Sequence, residues 1–581
     1  MSRLLVTTAL EETWGDIASD YYLGEWCRIY GRKQIWSDKN AEIQSHHWKD
    51  RKKLRHDHDN LKVLYERVLS GLATKLNYIH GVNSSSRYWR IIVGPWLINY
   101  LPILFDKWEV LRLAFQKYDK YETYAIGGEI DIANDYNEFV EILYQSDLWN
   151  HHIFLRIINF HYKERVNYLP AWLSSINATH KTLENQKKSS LIWKFVTPFD
   201  ILTSCLVKKH TKVLFYRSYF DLAQFSLINF MLHQVPTLHL NTFGKQFKAN
   251  TDRELRRGTV DFAAESEFEN FVALSLLQDI PVSYLESFPD IAQKAKTVRF
   301  DPKVIVTATG HWGDELFKFW LANKVTKGVK LVVVDHGGSL PPLFDIFDHD
   351  DDIADKRATW FISLQPKQVQ LPPSKLVGFK IRSTPMYCSV IGLEQPRYAT
   401  RACAYPIVEQ TIFCLNNTLL FIKSLNTKIY GCLKVKPSKD RGWETEKRYI
   451  DALGESKVYR EKNYYKVLSY SRLVVCTYSD TTFAEAMASG IPTILVHMPE
   501  FYEKVGETEK LVIALKSANI IFDDPLQAAN HVNLIWDKVE SWWSQPDVIE
   551  ARDYFYRMTC DVKYNPKNRR RRWVSFLKNF T

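Results

Sequence analysis

Hydrophobic positions follow two different patterns along the chain. Between about residues 40 and 300 they recur mostly at the spacing of a helix face, as in Leu61–Leu76 and Ala263–Leu277. After residue 300 short apolar runs such as Val304–Thr307 and Lys330–Val334 alternate with helical segments. This alternation predicts parallel sheets that are covered by helices on both faces.

The same pattern suggests how the chain is divided. A short apolar run at residues 3–8 predicts a buried first strand. The acidic, proline-bearing segment Pro341–Asp355 and the turn-like Leu371–Pro373 bracket the predicted main domain boundary. The predicted parts are an N-terminal α/β domain over 1–345 with a helical insertion at about 40–300, a C-terminal α/β domain over 360–555, and a tail over 556–581.

The longest apolar stretch, Ile91–Phe105, is interrupted by Gly94, Pro95, Asn99 and Pro102. It is shorter than the roughly 20 residues that a membrane-spanning helix needs, so a buried helical segment is predicted. The N-terminus shows no signal-peptide pattern. The eight cysteines form no C-x-x-C pair, which suits a reducing compartment. We therefore expect a cytoplasmic protein.

The net charge of +11 is concentrated at one end of the chain. Residues 551–581 contain nine Lys and Arg against two Asp, an excess of seven, which leaves only four for the other 550 residues. A near-neutral body argues against a general nucleic-acid-binding surface, and we expect no nucleic-acid partner.

The tail also carries an apolar stripe. Trp573, Phe576, Leu577 and Phe580 recur at helical spacing behind the run Arg569–Arg572. Two interpretations remain open: residues 567–581 lie on an anionic membrane surface, which would make the protein peripheral on the inner face of the membrane, or the stripe packs on the N-terminal domain.

The segment Ser471–Pro499 is the most informative for chemistry. A strand ends at Cys476, a polar turn follows, and a helix is predicted from about Phe483. Helix N-termini at the carboxyl ends of parallel strands attract anions and ligands. The alternative is a simple capping box, Thr482-x-x-Glu485. The candidate phosphate-binding residues are Ser479, Asp480, Thr481, Thr482 and Glu485.

Two histidines follow neighbouring predicted strands. His311 lies in a glycine-bearing loop after Val304–Thr307, and His336 is followed by Gly337 and Gly338. Because both loops leave carboxyl ends of parallel strands, we expect the histidines to face one cleft. His336 is the candidate base there, and His311 with both glycines would contact the phosphate of a bound ligand. The alternative is that the glycines only form a turn.

A basic turn follows another predicted strand near residue 436. Lys434 and Lys436 are candidates to neutralise a nucleotide phosphate. The alternative is a solvated basic turn.

Several of these segments resemble GT-B glycosyltransferases of bacterial surface-polysaccharide assembly. The string S-D-T-T-F-A-E-A-M-A-S-G-I-P-T resembles a donor-contacting motif, and L-V-T-T-A-L-E-E-T-W, R-Y-W-R-x4-P-W and D-H-G-G resemble transferases from O-antigen gene clusters. The resemblance implies two Rossmann-like domains that face a central cleft. It also implies an acceptor-side base in the loop after the first strand, where Glu11 and Glu12 stand; the alternative there is a capping box, Thr8-x-x-Glu11. Ser438 replaces a histidine that transferases using CMP-activated sugars often carry.

The expected activity is therefore transfer of a sugar from a nucleotide-sugar co-substrate to a lipid-linked or polymeric glycan of the O-antigen or capsule type. Two alternatives remain: a teichoic-acid-type polyol-phosphate transferase, and a non-catalytic scaffold of the assembly complex. We expect no metal and no further cofactor, because His56–Asp59 and His349–Asp352 lack the recurring spacing of a closed metal site.

Overall fold

The computed structural model describes residues 3–15, 20–38, 40–126, 130, 132–171, 211–239, 242–338, 340, 347–398, 402, 406–501, 506–560 and 565–581. The strands in these ranges form three parallel sheets of five strands each. The α/β class with parallel sheets is therefore confirmed.

The first sheet contains β1 (Arg3–Val6), β2 (Tyr21–Tyr22), β3 (Glu42–Ile43), β4 (Tyr121–Ile126) and β5 (Val166–Ala171), in the order β3-β2-β1-β4-β5. Its helices are α1 (Lys33–Trp36), α2 (Arg51–His80), α3 (Ser86–Lys117), α4 (Tyr136–Gln145) and α5 (Asp147–Ile157).

The second sheet contains β6 (Val213–Tyr216), β7 (Val304–Thr307), β8 (Lys330–Val334), β9 (Lys356–Thr359) and β10 (Gln368–Gln370), which lie side by side in chain order. Its helices are α6 (Leu222–Met231), α7 (Glu267–Asp279), α8 (Phe288–Thr297), α9 (Gly310–Gly313), α10 (Glu315–Thr326) and α11 (His349–Ile353).

The third sheet contains β11 (Tyr387–Ile391), β12 (Leu433–Lys436), β13 (Ser471–Cys476), β14 (Thr493–Val496) and β15 (Ile521–Phe522), in the order β12-β11-β13-β14-β15. The remaining helices are α12 (Gln410–Lys423), α13 (Thr427–Gly431), α14 (Thr445–Leu453), α15 (Tyr464–Ser469), α16 (Thr481–Ser489), α17 (Glu507–Ser517), α18 (Pro525–Ile535), α19 (Val539–Trp543), α20 (Pro546–Phe555) and α21 (Pro566–Phe580).

The described residues contain three sheets, one more than a pair of Rossmann-like domains would supply. The range 40–300 is mostly helical as expected, but it also supplies β3, β4, β5 and β6, so a third sheet is present. The predicted boundary between 345 and 360 cuts through the second sheet, which continues to β10. The described part of the acidic segment forms α11, a crossover helix between the neighbouring strands β8 and β9. The segment therefore does not mark a boundary.

Helix α3 joins the first two sheets into one core. Its apolar residues belong to one hydrophobic cluster that also contains residues of β1, β7 and β8. The apolar stretch Ile91–Phe105 lies inside this helix, as predicted, and 24 of the 32 residues of α3 are buried. Among the described helices, none combines the length and the apolar character that a membrane crossing requires.

The C-terminal helix α21 docks on the outer face of the second sheet. Trp573, Val574 and Leu577 are buried there among side chains of β6, β7 and β8. Trp573 Nε1 donates to the Pro372 carbonyl at 2.7 Å, and Arg569 donates to the Leu376 carbonyl at 2.7 Å. The stripe therefore docks on the protein through Trp573 and Leu577, while Phe576 and Phe580 are partly buried beside them.

We predict that Trp573→Ala lowers the free energy of unfolding by about 3–5 kcal/mol, because it leaves a cavity in a closed core. Urea denaturation measures this, with the exposed Ser575→Ala as the control. Unchanged stability together with weaker binding to anionic vesicles would instead support a membrane anchor.

Candidate functional site

The strand order of the third sheet identifies where a ligand would bind. The order reverses between β11 and β13, and ligands of open parallel sheets bind outside the carboxyl ends of the strands at such a reversal. Thr477, the first residue after β13, bridges this point by donating its hydroxyl to the Ile391 carbonyl at 2.8 Å. The predicted polar turn therefore lies at the reversal.

Helix α16 begins directly after this turn. Asp480 is its N-cap and accepts hydrogen bonds from the Thr481 amide at 2.7 Å and the Thr481 hydroxyl at 3.2 Å. The helix therefore does not begin with the capping box Thr482-x-x-Glu485. The Asp480 carboxylate caps it two residues before Thr482. Ser479 is buried beside this N-terminus.

The loop after β8 crosses from the second sheet to this helix. The Gly338 amide donates to the Thr481 hydroxyl at 3.1 Å. A Cβ atom at Gly337 would lie 2.2 Å from the same oxygen, so the contact requires glycine there. The two segments selected from sequence, His336–Gly338 and the hydroxyl turn, thus meet in one cleft between the second and third sheets.

His336 lies in this loop, with part of its side chain exposed to solvent and its ring near other protein groups. Its ring lies 6.4 Å from that of Tyr219, centroid to centroid. Crowding by protein atoms desolvates the ring and lowers the pKa of His336, although the charges of Asp350 and Asp480 oppose the shift. The imidazole is therefore neutral near pH 7 and able to accept a proton.

Lys375 is a cation of this cleft that sequence reasoning missed. Its Nζ lies 2.7 Å from Glu485 Oε1 and 5.2 Å from the Trp360 ring centroid, and its charge contributes to the pKa shift of His336. Glu485 also accepts from the Tyr465 hydroxyl at 3.1 Å and is buried, so it positions Lys375. The lysine follows the turn-like Leu371–Pro373, and no sequence motif surrounds it.

His311 does not share the cleft surface with His336. It lies in α9 and is fully buried, and its Nε2 is 2.8 Å from Asp350 Oδ1. The strand ends do bring the two histidines close enough for His311 to affect the pKa of His336. The expectation that both face a donor is corrected, because the side chain of His311 points into the protein.

The two predicted lysines of the third sheet differ in position. Lys436 pairs with Ile391, which pairs with Cys476, so it is level with the strand ends, two strands from the hydroxyl turn. Burial lowers the pKa of Lys436. Lys434 lies two residues earlier, and its amine donates to the Ser456 carbonyl. The Lys434 amine is therefore occupied by a hydrogen bond within its own domain.

Glu11 and Glu12 lie at the end of the first sheet, in the short helix Glu11–Thr13. No side chain caps this helix, so the capping box Thr8-x-x-Glu11 is not formed. Glu11 pairs with Arg32 at 2.7 Å, while Glu12 is exposed. None of their contacts within the described residues reaches His336 or Thr481.

Two groups of side chains have the composition of a metal site: His46, His47 and Asp106, and His311, His349 and Asp350. In the first group Asp106 Oδ1 is 2.7 Å from His46 Nε2 and 3.0 Å from His47 Nε2. These hydrogen bonds engage both imidazoles through Nε2, and among the described residues only His47 Nδ1 of the four ring nitrogens has no hydrogen-bond partner.

Residues 3–568 match the model of the LIC12162 family transferases. The chain belongs to this family. The matched range contains all three sheets, and so both the His336–Gly338 loop and the hydroxyl turn. Among curated proteins, none matches this transferase significantly.

Similarity to solved structures is weak. The Anabaena protein Alr3699/HepE in complex with UDP and glucose shares 13% identity at a TM-score of 0.36, over 64% of this chain and 100% of that chain. The UDP-GlcNAc 2-epimerase of Neisseria meningitidis bound to UDP-GlcNAc shares 9% identity at a TM-score of 0.33, over 63% and 99%. TM-scores this low assign no substrate and no residue role to the transferase.

We predict that Gly337→Ala destabilises the transferase by about 1–3 kcal/mol, because the new methyl group overlaps the Thr481 hydroxyl. Thr481→Ala removes that oxygen, so the double variant should cost less than the two single changes together. Urea denaturation of all three variants measures the coupling. Gly431→Ala is the control, since its Cβ would meet no atom within 4 Å. Additive effects would contradict the close contact.

Proposed function

We propose that this transferase is a GT-B-type glycosyltransferase that works in the cleft between the second and third sheets. The observation that carries the proposal is the contact of Gly337 and Gly338 with Thr481, which sets an exposed neutral histidine opposite a helix N-terminus. The donor is a nucleotide sugar. The acceptor is a hydroxyl of a lipid-linked or polymeric surface glycan of the O-antigen or capsule type, which the sequence resemblance supports.

The donor diphosphate is proposed to lie at the start of α16. The dipole of the helix favours an anion there. Lys375 supplies the positive charge, and Ser479 and Thr481 supply hydroxyls. Negative charge on the leaving nucleotide grows as the sugar is transferred, so these groups stabilise the transition state more than the bound donor.

The acceptor is proposed to approach from the side of His336. The imidazole takes the proton of the acceptor hydroxyl as its oxygen bonds to the anomeric carbon, while the bond from that carbon to the nucleotide phosphate breaks. No step of this route uses a metal ion. His336 suits the role better than Glu11 or Glu12, since it faces the proposed phosphate site and neither glutamate contacts that cleft within the described residues.

We predict that His336→Gln lowers kcat by about 10²–10⁴-fold, because general-base catalysis contributes that much. Nucleotide affinity should be unchanged. Release of nucleotide and incorporation of labelled sugar measure transfer, with circular dichroism to confirm folding. Wild-type turnover would remove His336 from the mechanism, and phosphorus in the product would support a polyol-phosphate transferase instead.

The acidic limb of the pH profile of kcat/KM should have a low midpoint. Neutral His336 is the active form and its pKa lies below the ordinary value of 6.5, so kcat/KM should fall only as the pH drops through a midpoint below 6.5. A midpoint clearly above 6.5 would contradict a desolvated base.

Lys375→Met should weaken nucleotide binding by about tenfold or more, because it removes a charge-assisted contact to phosphate. Lys434→Met is the matched control, since the structure commits that amine to the Ser456 carbonyl. Thermal shift with CMP, UDP, GDP, CDP and dTDP identifies the nucleotide and ranks both variants. Equal losses in the two variants would contradict the role of Lys375.

A further inference from the structure

We propose that His311, His349 and Asp350 form a binding site for one divalent transition-metal ion of the zinc class. A ligand atom from each residue lies within 4.8 Å of the others. The residues come from α9, which follows β7, and from α11, which lies between β8 and β9. This inference is independent of the proposed glycosyl transfer, and it revises the expectation from sequence that no metal is bound.

His349 is the residue whose unsatisfied ring nitrogens point to a bound ligand. It is 1% exposed, and among the described residues neither ring nitrogen has a hydrogen-bond partner. Buried polar groups are normally satisfied, so such a ring needs an explanation. Burial also lowers the pKa of His349 to about 3, which keeps the imidazole neutral and able to bind a metal.

The ring of His349 is held in place by its neighbours. A Cβ atom at Gly94 would lie 2.8 Å from His349 Cε1, so the backbone of α3 backs one edge of the ring. The ring of Trp312 lies 5.2 Å away and that of His311 6.2 Å away, centroid to centroid. A fixed ring loses little freedom on binding an ion.

The other two ligands complete the donor set. His311 is fully buried, its Nε2 is 2.8 Å from Asp350 Oδ1, and its Nδ1 has no hydrogen-bond partner in the described structure. Burial alone would raise the pKa of Asp350, but His311 and Arg357 hold it well below its ordinary value, so the carboxylate is ionised. Two imidazoles and one carboxylate suit zinc and related ions better than Mg²⁺ or Ca²⁺, which prefer oxygen ligands.

The second histidine group is more nearly satisfied by hydrogen bonds, since only His47 Nδ1 of its four ring nitrogens has no hydrogen-bond partner among the described residues. There both imidazoles contact Asp106, and His46 Nδ1 accepts from the Trp48 amide at 3.2 Å. The His311 group has one such contact, leaving three ring nitrogens unsatisfied among the described residues. An ion there would tie the segment after β7 to α11 beneath the loop that carries His336.

The test measures metal content and affinity on the full chain. After removal of metal with a chelator, wild-type protein should bind about one equivalent of Zn²⁺ or Co²⁺ and gain thermal stability. His349→Gln and Asp350→Asn should each weaken binding by more than about 100-fold, the upper end of what losing an outer-shell partner costs. His47→Gln, in the other group, should bind as wild type does.

Several results would overturn the proposal. Wild-type protein that binds no Zn²⁺, Co²⁺ or Mn²⁺ has no such site. Variants that bind as tightly as wild type, or an equal loss in His47→Gln, place the ion elsewhere. If His349→Gln fails to fold, Asp350→Asn decides: the X-ray absorption spectrum of the zinc-loaded protein should show two imidazoles and one carboxylate on the ion in wild type and in His47→Gln, and should lose the carboxylate in Asp350→Asn.

Discussion

The burial of helix α3 is the constraint on which the rest of the structure depends. Its residues are apolar on nearly every side, so it is stable only with packing partners all around it. Neighbouring helices, among them α2, α5 and α10, pack around it, and one hydrophobic cluster joins α3 with strands of the first and second sheets. The carboxyl edge of the second sheet is thereby held rigidly, and with it the loops that carry His336 and His311.

Among the described residues, contacts on two flanks hold the third sheet against this unit. On one flank Arg397 pairs with Asp147 at 2.8 Å, both largely buried, and ties the start of α5 to the loop after β11. On the other flank Gly338 bonds Thr481. Helix α21 then returns from the C-terminal part of the chain to the outer face of the second sheet. The cleft is thus bounded on both sides by contacts whose geometry leaves little room for substitution.

Much of the site was predictable because its parts are local. The His336–Gly338 loop and the Asp480–Thr481 turn each follow a buried strand, and strand ends with glycine or hydroxyl residues are recognisable within a few positions. The domain division was less predictable. Short strands such as β4 and β6 lie among long helical patterns, so periodicity alone gave two domains where the structure has three sheets.

The sequence by itself determined the α/β class, the two loops that meet in the cleft and the amphipathic character of the tail, because periodicity and turn chemistry are written in neighbouring residues. Only the tertiary structure decided that Lys375 pairs with Glu485, that His311 meets His349 and Asp350, and that the tail packs on the second sheet. These contacts join residues that lie far apart along the chain, and burial and pairing at such distances leave no local pattern to detect.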